Sequence, residues 1–207
     1  MEINGQSIVT EFLKDLDKYL KDEFKQLECR DVAKIYSTLF DELKRYRGTS
    51  TGFDGLTEFI IFRFLIHQLG GNFEEIPKTR LTTEFARGNL KLRQGLPIGE
   101  KRPTHKPDIT LFKENKLAAV IEIKAHIKDA VTYDKAMDIF TEIHKDHDIR
   151  ALLITFDHAN ITEKTRQKIH EHKASNPWLD CVVLDEDERF LYEILEKSLN
   201  LKEVLRQ

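Results

Sequence analysis

The stretch PDITLFKENKLAAVIEIK, residues 107–124, decides the fold that the sequence predicts. Two apolar-rich runs flank a short polar centre, and this pattern is typical of a β-hairpin. We expect strands at residues 108–112 and 117–125, joined by a three-residue loop at 114–116. In this register Asp108 lies opposite Glu122, and Phe112 lies opposite Ala118.

Strand parity sorts the side chains of this hairpin onto two faces. The apolar face, which must be core, carries Ile109, Leu111, Ala119, Ile121 and Ile123. The other face carries Asp108, Thr110, Glu122 and Lys124. Two directly opposed carboxylates repel each other, and a packed sheet needs compensation for them. A divalent cation supplies it, because hard cations bind through one or two carboxylates, water and phosphate.

Lys124 follows Glu122 by two residues and projects to the same face, about 7 Å further along the strand. From there its amine can orient a metal-bound water or help to deprotonate it. This layout is the one expected for metal-assisted hydrolysis of a phosphodiester. The alternative is a solvent-exposed hairpin face on which Lys124 balances two acids.

The rest of the sequence predicts an α/β fold, with a mixed sheet that has helices on its faces. Apolar spacing predicts helices at 6–28, 31–47 and 56–69, of which the third is apolar nearly all round and should be buried. The segment 70–107 is rich in glycine and proline, so we expect loops there. Beyond the hairpin we expect helices at 132–145, 162–174 and 190–206 and strands at 150–156 and 180–184.

These motifs resemble the PD-(D/E)XK nuclease superfamily, which includes type II restriction endonucleases, archaeal junction resolvases and RecB-type exonucleases. Pro107-Asp108, thirteen further residues and Glu122-Ile123-Lys124 are similar to its signature. The element order over residues 54–184 is similar to its core of helix, three-strand antiparallel sheet, helix and strand. The resemblance implies a restriction endonuclease-like domain at residues 51–207. Residues 1–50 form an N-terminal helical extension, which is a candidate dimer surface.

The resemblance also implies roles for individual residues. Asp108 and Glu122 would ligate Mg²⁺, for which Mn²⁺ is expected to substitute, and Lys124 would position the nucleophilic water. Glu58 matches the acidic residue that the first helix of the family core often adds to the metal site. Its alternative role is a favourable charge or capping box in the first helical turn. The almost wholly apolar helix around Glu58 favours the metal site.

The charge distribution is uneven along the chain. The total of 33 basic and 36 acidic residues gives a net charge of −3, which argues against a uniformly basic nucleic-acid coat. Residues 78–106, however, hold eight basic and two acidic residues. We expect this segment to contact phosphates near the hairpin, although a solvated loop is the alternative. The candidate contacts are Arg93, Arg102, Lys106 and, beyond the hairpin motif, His126.

The sequence also predicts the cellular setting. Cys29 and Cys181 lie far apart and form no C-x-x-C pair, which fits a reducing compartment. We find neither a signal peptide nor an apolar run long enough to span a membrane. Patterns for phosphate-binding loops and dinucleotides are absent, so no nucleotide cofactor is expected. We therefore predict a cytoplasmic protein without membrane association.

Taken with the resemblance, the sequence predicts a Mg²⁺-dependent endonuclease that hydrolyses double-stranded DNA, of the site-specific restriction type. A homodimer is expected, because two sites are needed to cut two strands. One alternative is a catalytically inactive member of the same fold that binds nucleic acid or a protein partner. A third interpretation is a helical interaction module in which the first 50 residues carry the function.

Overall fold

The computed structural model describes residues 5–47, 54–71, 84–95, 106–127, 129–157 and 161–202. These ranges form an α/β fold in which one six-stranded mixed sheet is flanked by helices. The helices are α1 (Gly5–Glu23), α2 (Cys29–Arg47), α3 (Asp54–Gln68), α4 (Ala130–His147), α5 (Glu163–Ser175) and α6 (Leu191–Ser198). The strands are β1 (Glu84–Arg87), β2 (Leu90–Gln94), β3 (Ile109–Lys113), β4 (Lys116–His126), β5 (Arg150–Asp157) and β6 (Leu179–Val183). The predicted α/β class, a mixed sheet with helices on its faces, is confirmed at this level.

The three N-terminal helices follow the apolar spacing of the sequence. α1 buries Leu16 and Leu20, and α2 buries Val32 and Tyr36, so each helix turns one stripe inward. α1 ends at Glu23, five residues before the predicted end, and a turn leads into α2. α3 is buried on every side through its second half, as its nearly continuous apolar sequence predicts.

The sheet changes from antiparallel to parallel at β4. The first four strands form an antiparallel meander, whereas β4, β5 and β6 run parallel to one another. Parallel neighbours need a crossover connection, and α4 and α5 provide the two crossovers. The carboxyl ends of β4, β5 and β6 therefore meet at one edge of the sheet. β3 begins at that same edge, because it is antiparallel to β4.

A β-hairpin lies where the sequence analysis expects loops. The expectation for the segment 70–107 is wrong at β1 and β2, which pair with each other and extend the sheet. Leu90 and Leu92 are buried and alternate with more exposed residues, as in any half-buried strand. The turn between the strands contains Gly88 at φ 60°, a conformation that glycine adopts at little cost. The alternating pattern of these two short strands is hard to recognise in the sequence, because many glycines and prolines surround it.

β3 and β4 pair in the predicted register over the half that leads to the candidate site. Thr110 pairs with Val120, as predicted. Asp108 immediately precedes β3, and continuing the same register by two residues from Thr110 sets it opposite Glu122. The hairpin therefore brings the two predicted metal ligands to the same place at the sheet edge.

The turn of this hairpin differs from the prediction. Glu114 and Asn115 form a two-residue turn with φ of 52° and 63°, in place of the three-residue loop. Positive φ at both positions is characteristic of a type I′ turn, whose twist suits a hairpin. The predicted pairing of Phe112 with Ala118 is wrong, because Phe112 pairs with Leu117. Ala118 is the extra residue of a β-bulge, and this bulge restores the predicted register beyond it.

Two hydrophobic cores lie on opposite faces of the sheet. The predicted core face of the hairpin is confirmed, because all five of its residues belong to the first core, with α1, α2, α3 and α6. The second core joins α4 and α5 to the other face of the sheet. Its strand residues within the described ranges are Val120, Ala151, Leu153, Leu179 and Cys181. The N-terminal helices thus share a core with the sheet.

The second half of the chain largely follows its prediction. Helices and strands alternate as expected, and Thr162 caps α5 by accepting a hydrogen bond from Thr165 N. The prediction of a C-terminal helix at 190–206 is too long, because α6 ends at Ser198. Asn200 follows with a φ of 54°, which is outside the helical region. None of the helices in the described ranges is both long and apolar enough to cross a membrane.

Candidate active site

Asp108 is held at the sheet edge from both sides. Its backbone carbonyl accepts a hydrogen bond from Gly95 N at 2.9 Å, next to β2. Its carboxylate Oδ2 accepts one from Ile123 N of β4 at 2.6 Å. The carboxylate thus takes part in the pairing of β3 with β4, and it is half-buried. A residue that is held through both its backbone and its side chain has a well-defined position.

Glu122 and Lys124 lie on the same face of β4 and contact each other. The Lys124 ammonium donates a hydrogen bond from Nζ to Glu122 Oε1. Glu122 is buried, whereas Lys124 is half-buried. A buried carboxylate is unfavourable unless it is paired, and Lys124 provides the pairing here. The predicted combination of two acids and one lysine is therefore present as one local cluster.

Glu58 approaches this cluster from α3, one turn after the helix begins at Asp54. Its carboxylate Oε2 accepts a hydrogen bond from Gln94 Nε2 at 3.0 Å, and Gln94 ends β2. The charge of Glu58 contributes to raising the pKa of both Asp108 and Lys124, so it lies within electrostatic reach of both. Within the described residues, however, Glu58 does not join Asp108 and Glu122 in a group that could hold a metal ion.

Burial and charge repulsion act together on Asp108. Burial, followed by the charge of Glu122, raises the pKa of Asp108 from 3.8 to about 7. The Ile123 N–H and the Lys124 ammonium act in the opposite direction but do not cancel the shift. Two carboxylates in one partly buried site behave in this way because ionising the second is opposed by the first.

The Lys124 ammonium is stabilised by the same arrangement. Burial acts to lower the pKa of Lys124, but the charge and hydrogen bond of Glu122 outweigh it, with smaller contributions from Asp108 and Glu58. The net effect raises the pKa of Lys124 above 10.5. Lys124 is therefore a cationic hydrogen-bond donor in this state, which favours orienting a water over deprotonating it.

The carboxylates of the site are the type of ligand that Mg²⁺ prefers. Within the described ranges, no three side chains of His, Cys, Asp or Glu form a group that could hold a metal ion. Mg²⁺ usually binds through one or two carboxylates and fills its other positions with water and substrate phosphate. Asp108 and Glu122 are such a pair, and their mutual repulsion is the feature that a cation would relieve. The two oxygen donors thus fit Mg²⁺.

Comparisons with protein-family models, curated proteins and solved structures found no match to this chain. The interpretation of the site therefore rests on its own geometry and electrostatics. None of these comparisons identifies the chain as a PD-(D/E)XK nuclease.

The predicted nucleic-acid contacts are dispersed. Arg93 Nε forms an ion pair with Glu84 Oε2 at 2.7 Å. The Arg93 guanidinium also lies over the Phe112 ring, 5.0 Å from the ring centroid. Lys106 is exposed two residues before Asp108, and His126 is half-buried at the end of β4. Lys106 is two residues from Asp108 in sequence, and His126 is two residues from Lys124. Arg102 lies outside the described residues.

Two side chains near the site were not predicted to act there. Gln94 bonds Glu58, although the sequence analysis gave it no such partner. Thr155 of β5 pairs in register with Lys124 of β4 and is completely buried. Both residues lie on strands outside the hairpin of β3 and β4, so the spacing of the motif does not predict that they approach the site. A single polar residue inside the apolar strand RALLITF is the one hint that the sequence offers for Thr155.

Proposed function

We propose that this protein is a Mg²⁺-dependent endonuclease of the PD-(D/E)XK type that hydrolyses phosphodiester bonds in double-stranded DNA. The observation that carries the proposal is the cluster of Asp108, Glu122 and Lys124 at the edge where β3 begins and β4 ends. A buried and a half-buried acid beside a cationic lysine match the groups needed for metal-assisted phosphodiester hydrolysis.

The topology around the site supports the same proposal. α3 is followed by the antiparallel strands β2, β3 and β4, then by α4 and the parallel strand β5. This order resembles the one expected for a restriction endonuclease-like core, and β1 adds a strand next to β2. We propose that the chain contains this core and works as a homodimer, so that two sites cut the two strands.

The chain's own residues would divide the work as follows. Asp108 and Glu122 would hold the cation, which when bound neutralises phosphate charge and lowers the pKa of water. Lys124 would orient the attacking water and stabilise the negative charge that develops on the phosphoryl oxygens. Glu58, fixed by Gln94, would act from α3 as a further acidic group.

The overall reaction is the hydrolysis of one phosphodiester. The water oxygen forms a bond to phosphorus while the bond from phosphorus to one ester oxygen breaks. The leaving oxygen takes up a proton from solvent, and the attacking water loses one to solvent. The products are one strand end with a phosphate and one with a hydroxyl.

We also propose a cytoplasmic location. Cys29 and Cys181 are both free and buried, and no disulfide joins them. Burial raises the pKa of each thiol to about 12, which keeps both unreactive. Two unreactive, unpaired thiols suit a reducing compartment.

A plasmid cleavage assay tests the proposal. Wild-type protein with Mg²⁺ should nick and linearise supercoiled DNA, and EDTA should abolish cleavage. Glu122→Gln and Lys124→Ala should each reduce the rate at least a hundredfold, whereas the exposed α4 variant Lys135→Ala should not.

Three outcomes would count against the proposal. A wild-type protein that cleaves none of several DNAs, with Mg²⁺ or Mn²⁺, would overturn the assigned activity. Cleavage of RNA alone would overturn the assigned substrate. Cleavage that persists in EDTA would overturn the role of the metal.

A further inference from the structure

Thr155 carries a buried hydroxyl that has no hydrogen-bond partner among the described residues. The residue lies near the carboxyl end of the apolar strand β5, has no exposed surface, and its Oγ1 makes no hydrogen bond to a described residue. An unpaired buried hydroxyl is unfavourable for folding, and such a group in a folded protein calls for an explanation. Packing alone does not require the hydroxyl, because valine has nearly the same shape.

The position of Thr155 connects it to the candidate active site. Thr155 pairs in register with Lys124 across the parallel pair of β4 and β5, next to the pair of Glu122 with Leu153. Registered neighbours on adjacent strands are about 4.8 Å apart and project to the same face of the sheet. The unpaired hydroxyl therefore lies on the face of Glu122 and Lys124, beside the lysine.

The Lys124 ammonium can donate more hydrogen bonds than the single one that Glu122 accepts. Its Nζ donates to Glu122 Oε1, yet an ammonium group carries three N–H bonds. Glu122 is also a proposed ligand of the cation, and a carboxylate oxygen engaged with a cation is a weaker acceptor for a lysine. Under that condition a second protein acceptor beside Lys124 would keep its ammonium fixed in the site.

We propose that Thr155 Oγ1 is this second acceptor, and that it holds the Lys124 side chain in place when Glu122 engages a divalent cation. The inference rests on the proposed function. Thr155 is then a positioning residue, because it acts through Lys124 and touches neither the cation nor the substrate.

The test uses two variants at Thr155 and one matched control. Thr155→Val removes the hydroxyl and keeps the shape, whereas Thr155→Ser keeps the hydroxyl. Thr110→Val is the control, because Thr110 is an equally buried strand threonine whose hydroxyl donates to Arg93 O at 3.4 Å.

The first measurement does not depend on activity. Nitrogen-15 NMR of the lysine ammonium groups, with the Lys124 signal assigned by its loss in Lys124→Ala, reports how well that ammonium is protected from exchange with solvent. In Mg²⁺ the Thr155→Val protein should exchange the Lys124 ammonium protons about tenfold faster than wild type. The serine variant and the Thr110→Val control should match wild type.

The second measurement is the rate of plasmid cleavage. Thr155→Val should lower kcat about tenfold, equivalent to about 1.4 kcal/mol, while the Mg²⁺ concentration for half-maximal rate stays unchanged. Thr155→Ser should restore kcat. A purely structural role would not distinguish serine from valine in this way.

The outcomes separate the inference from the function on which it rests. Cleavage and ammonium exchange that are unchanged in Thr155→Val would overturn the role of Thr155 and leave the nuclease proposal standing. Equal losses in Thr155→Val and Thr110→Val would overturn it as well, because general repacking would then explain both. A wild-type protein that neither binds Mg²⁺ nor cleaves DNA would overturn both proposals.

Discussion

Asp108 combines a structural and a chemical role at the residue scale. Its carbonyl bonds to Gly95 and its carboxylate to Ile123, so that one residue joins the neighbours of β3 on both sides. Burial, followed by the repulsion of Glu122, raises the pKa of the same carboxylate. The two roles can be separated, because an asparagine carbonyl also accepts a hydrogen bond from a backbone N–H but carries no charge.

We predict that Asp108→Asn stabilises the folded protein while abolishing cleavage. The variant removes the repulsion with Glu122 and keeps an acceptor for Ile123 N–H, so the free energy of unfolding at pH 8 should rise by about 1 kcal/mol. Asp108 is mostly charged above its pKa of about 7 and mostly protonated below it. The gain should therefore be larger at pH 8 than at pH 5, as measured by urea denaturation.

The control for this prediction is Asp138→Asn, on an exposed position of α4. It should change the free energy of unfolding little at either pH. A loss of stability in Asp108→Asn at pH 8 would show that the charged bond to Ile123 outweighs the repulsion by Glu122.

The residues of the site differ in how well the sequence predicts them. Asp108, Glu122 and Lys124 belong to one hairpin, so local register and strand parity suffice to bring them together. Gln94 and Thr155 lie on strands that reach the site through pairing with β3 and with β4. Their alignment depends on the assembled sheet, and no spacing within one segment encodes it.

At the element scale, a buried ionic cluster attaches α1 to α3. The Arg63 guanidinium donates two hydrogen bonds to the Asp17 carboxylate, and His67 Nε2 lies 2.8 Å from Asp17 Oδ1. All three side chains are almost completely buried. Burial acts to raise the pKa of Asp17, but the hydrogen bonds of His67 and Arg63 outweigh it, so that the net pKa is lowered.

We predict that breaking this cluster at one residue is far more harmful than replacing it. Asp17→Leu should lower the free energy of unfolding by about 3–5 kcal/mol, because the buried Arg63 charge would lose the Asp17 carboxylate. The triple variant Asp17→Leu, Arg63→Met and His67→Leu should recover most of the loss. Urea denaturation measures both.

The exposed α1 variant Asp22→Leu is the control for the single change, and it should cost less than 1 kcal/mol. An Asp17→Leu protein as stable as this control would mean that solvent reaches Arg63 and that the cluster contributes little.

The hairpin turn gives a second prediction at this scale. Glu114 and Asn115 both adopt positive φ, which is unfavourable for glutamate. The double change Glu114→Asn and Asn115→Gly supplies the residues that a type I′ turn prefers. It should raise the free energy of unfolding by about 0.5–1 kcal/mol, as measured by thermal or urea denaturation.

The control at the turn is Asn115→Val, which should be destabilising because a β-branched residue fits positive φ poorly. A stabilising valine would contradict the turn conformation. The turn also shows why its length was mispredicted. Neither Glu114 nor Asn115 is glycine, so the usual two-residue signal is absent, and the bulge at Ala118 hides the difference in length.

At the scale of the whole molecule, the first core crosses the boundary that the sequence analysis draws at residue 50. It contains Leu20 of α1 and Val32 of α2 together with Phe64 of α3 and Ile121 of β4. Cys29 N also donates to Arg189 O at 2.9 Å, which connects the start of α2 to the segment before α6. These contacts join both ends of the described chain to the sheet.

We predict that a chain beginning at residue 51 does not fold by itself. It would expose the apolar surface that α1 and α2 cover and would leave Arg63 and His67 without Asp17. Circular dichroism should show no cooperative thermal transition for it, whereas a chain that begins at Gly5 should melt like the full-length protein. Cooperative melting of the shorter chain would instead favour two separable units.

The sequence predicts the class and order of most elements better than it predicts β1, β2 and the end of α6. Apolar patterns predict α1 to α5 and the last four strands, because some of these elements bury one periodic face and others, such as α3 and β5, are continuously apolar and buried. β1 and β2 escaped prediction because their strands of four and five residues lie within a segment dominated by turn-forming residues. The end of α6 was predicted too late in the chain, because the amphipathic pattern continues beyond Asn200, where the backbone leaves the helical conformation.

The change of strand direction at β4 implies an order of events during folding. A two-residue turn connects β3 to β4, so this pair closes a short loop, and isolated hairpins form in about 1–10 μs. β5 can join β4 only after α4 has crossed the sheet, and pairing over such sequence distances is slower. Asp108 and Glu122 therefore meet early, while Thr155 reaches Lys124 late. On the ribosome, the emerging chain would hold its two acids together before the strand that completes their surroundings has been made.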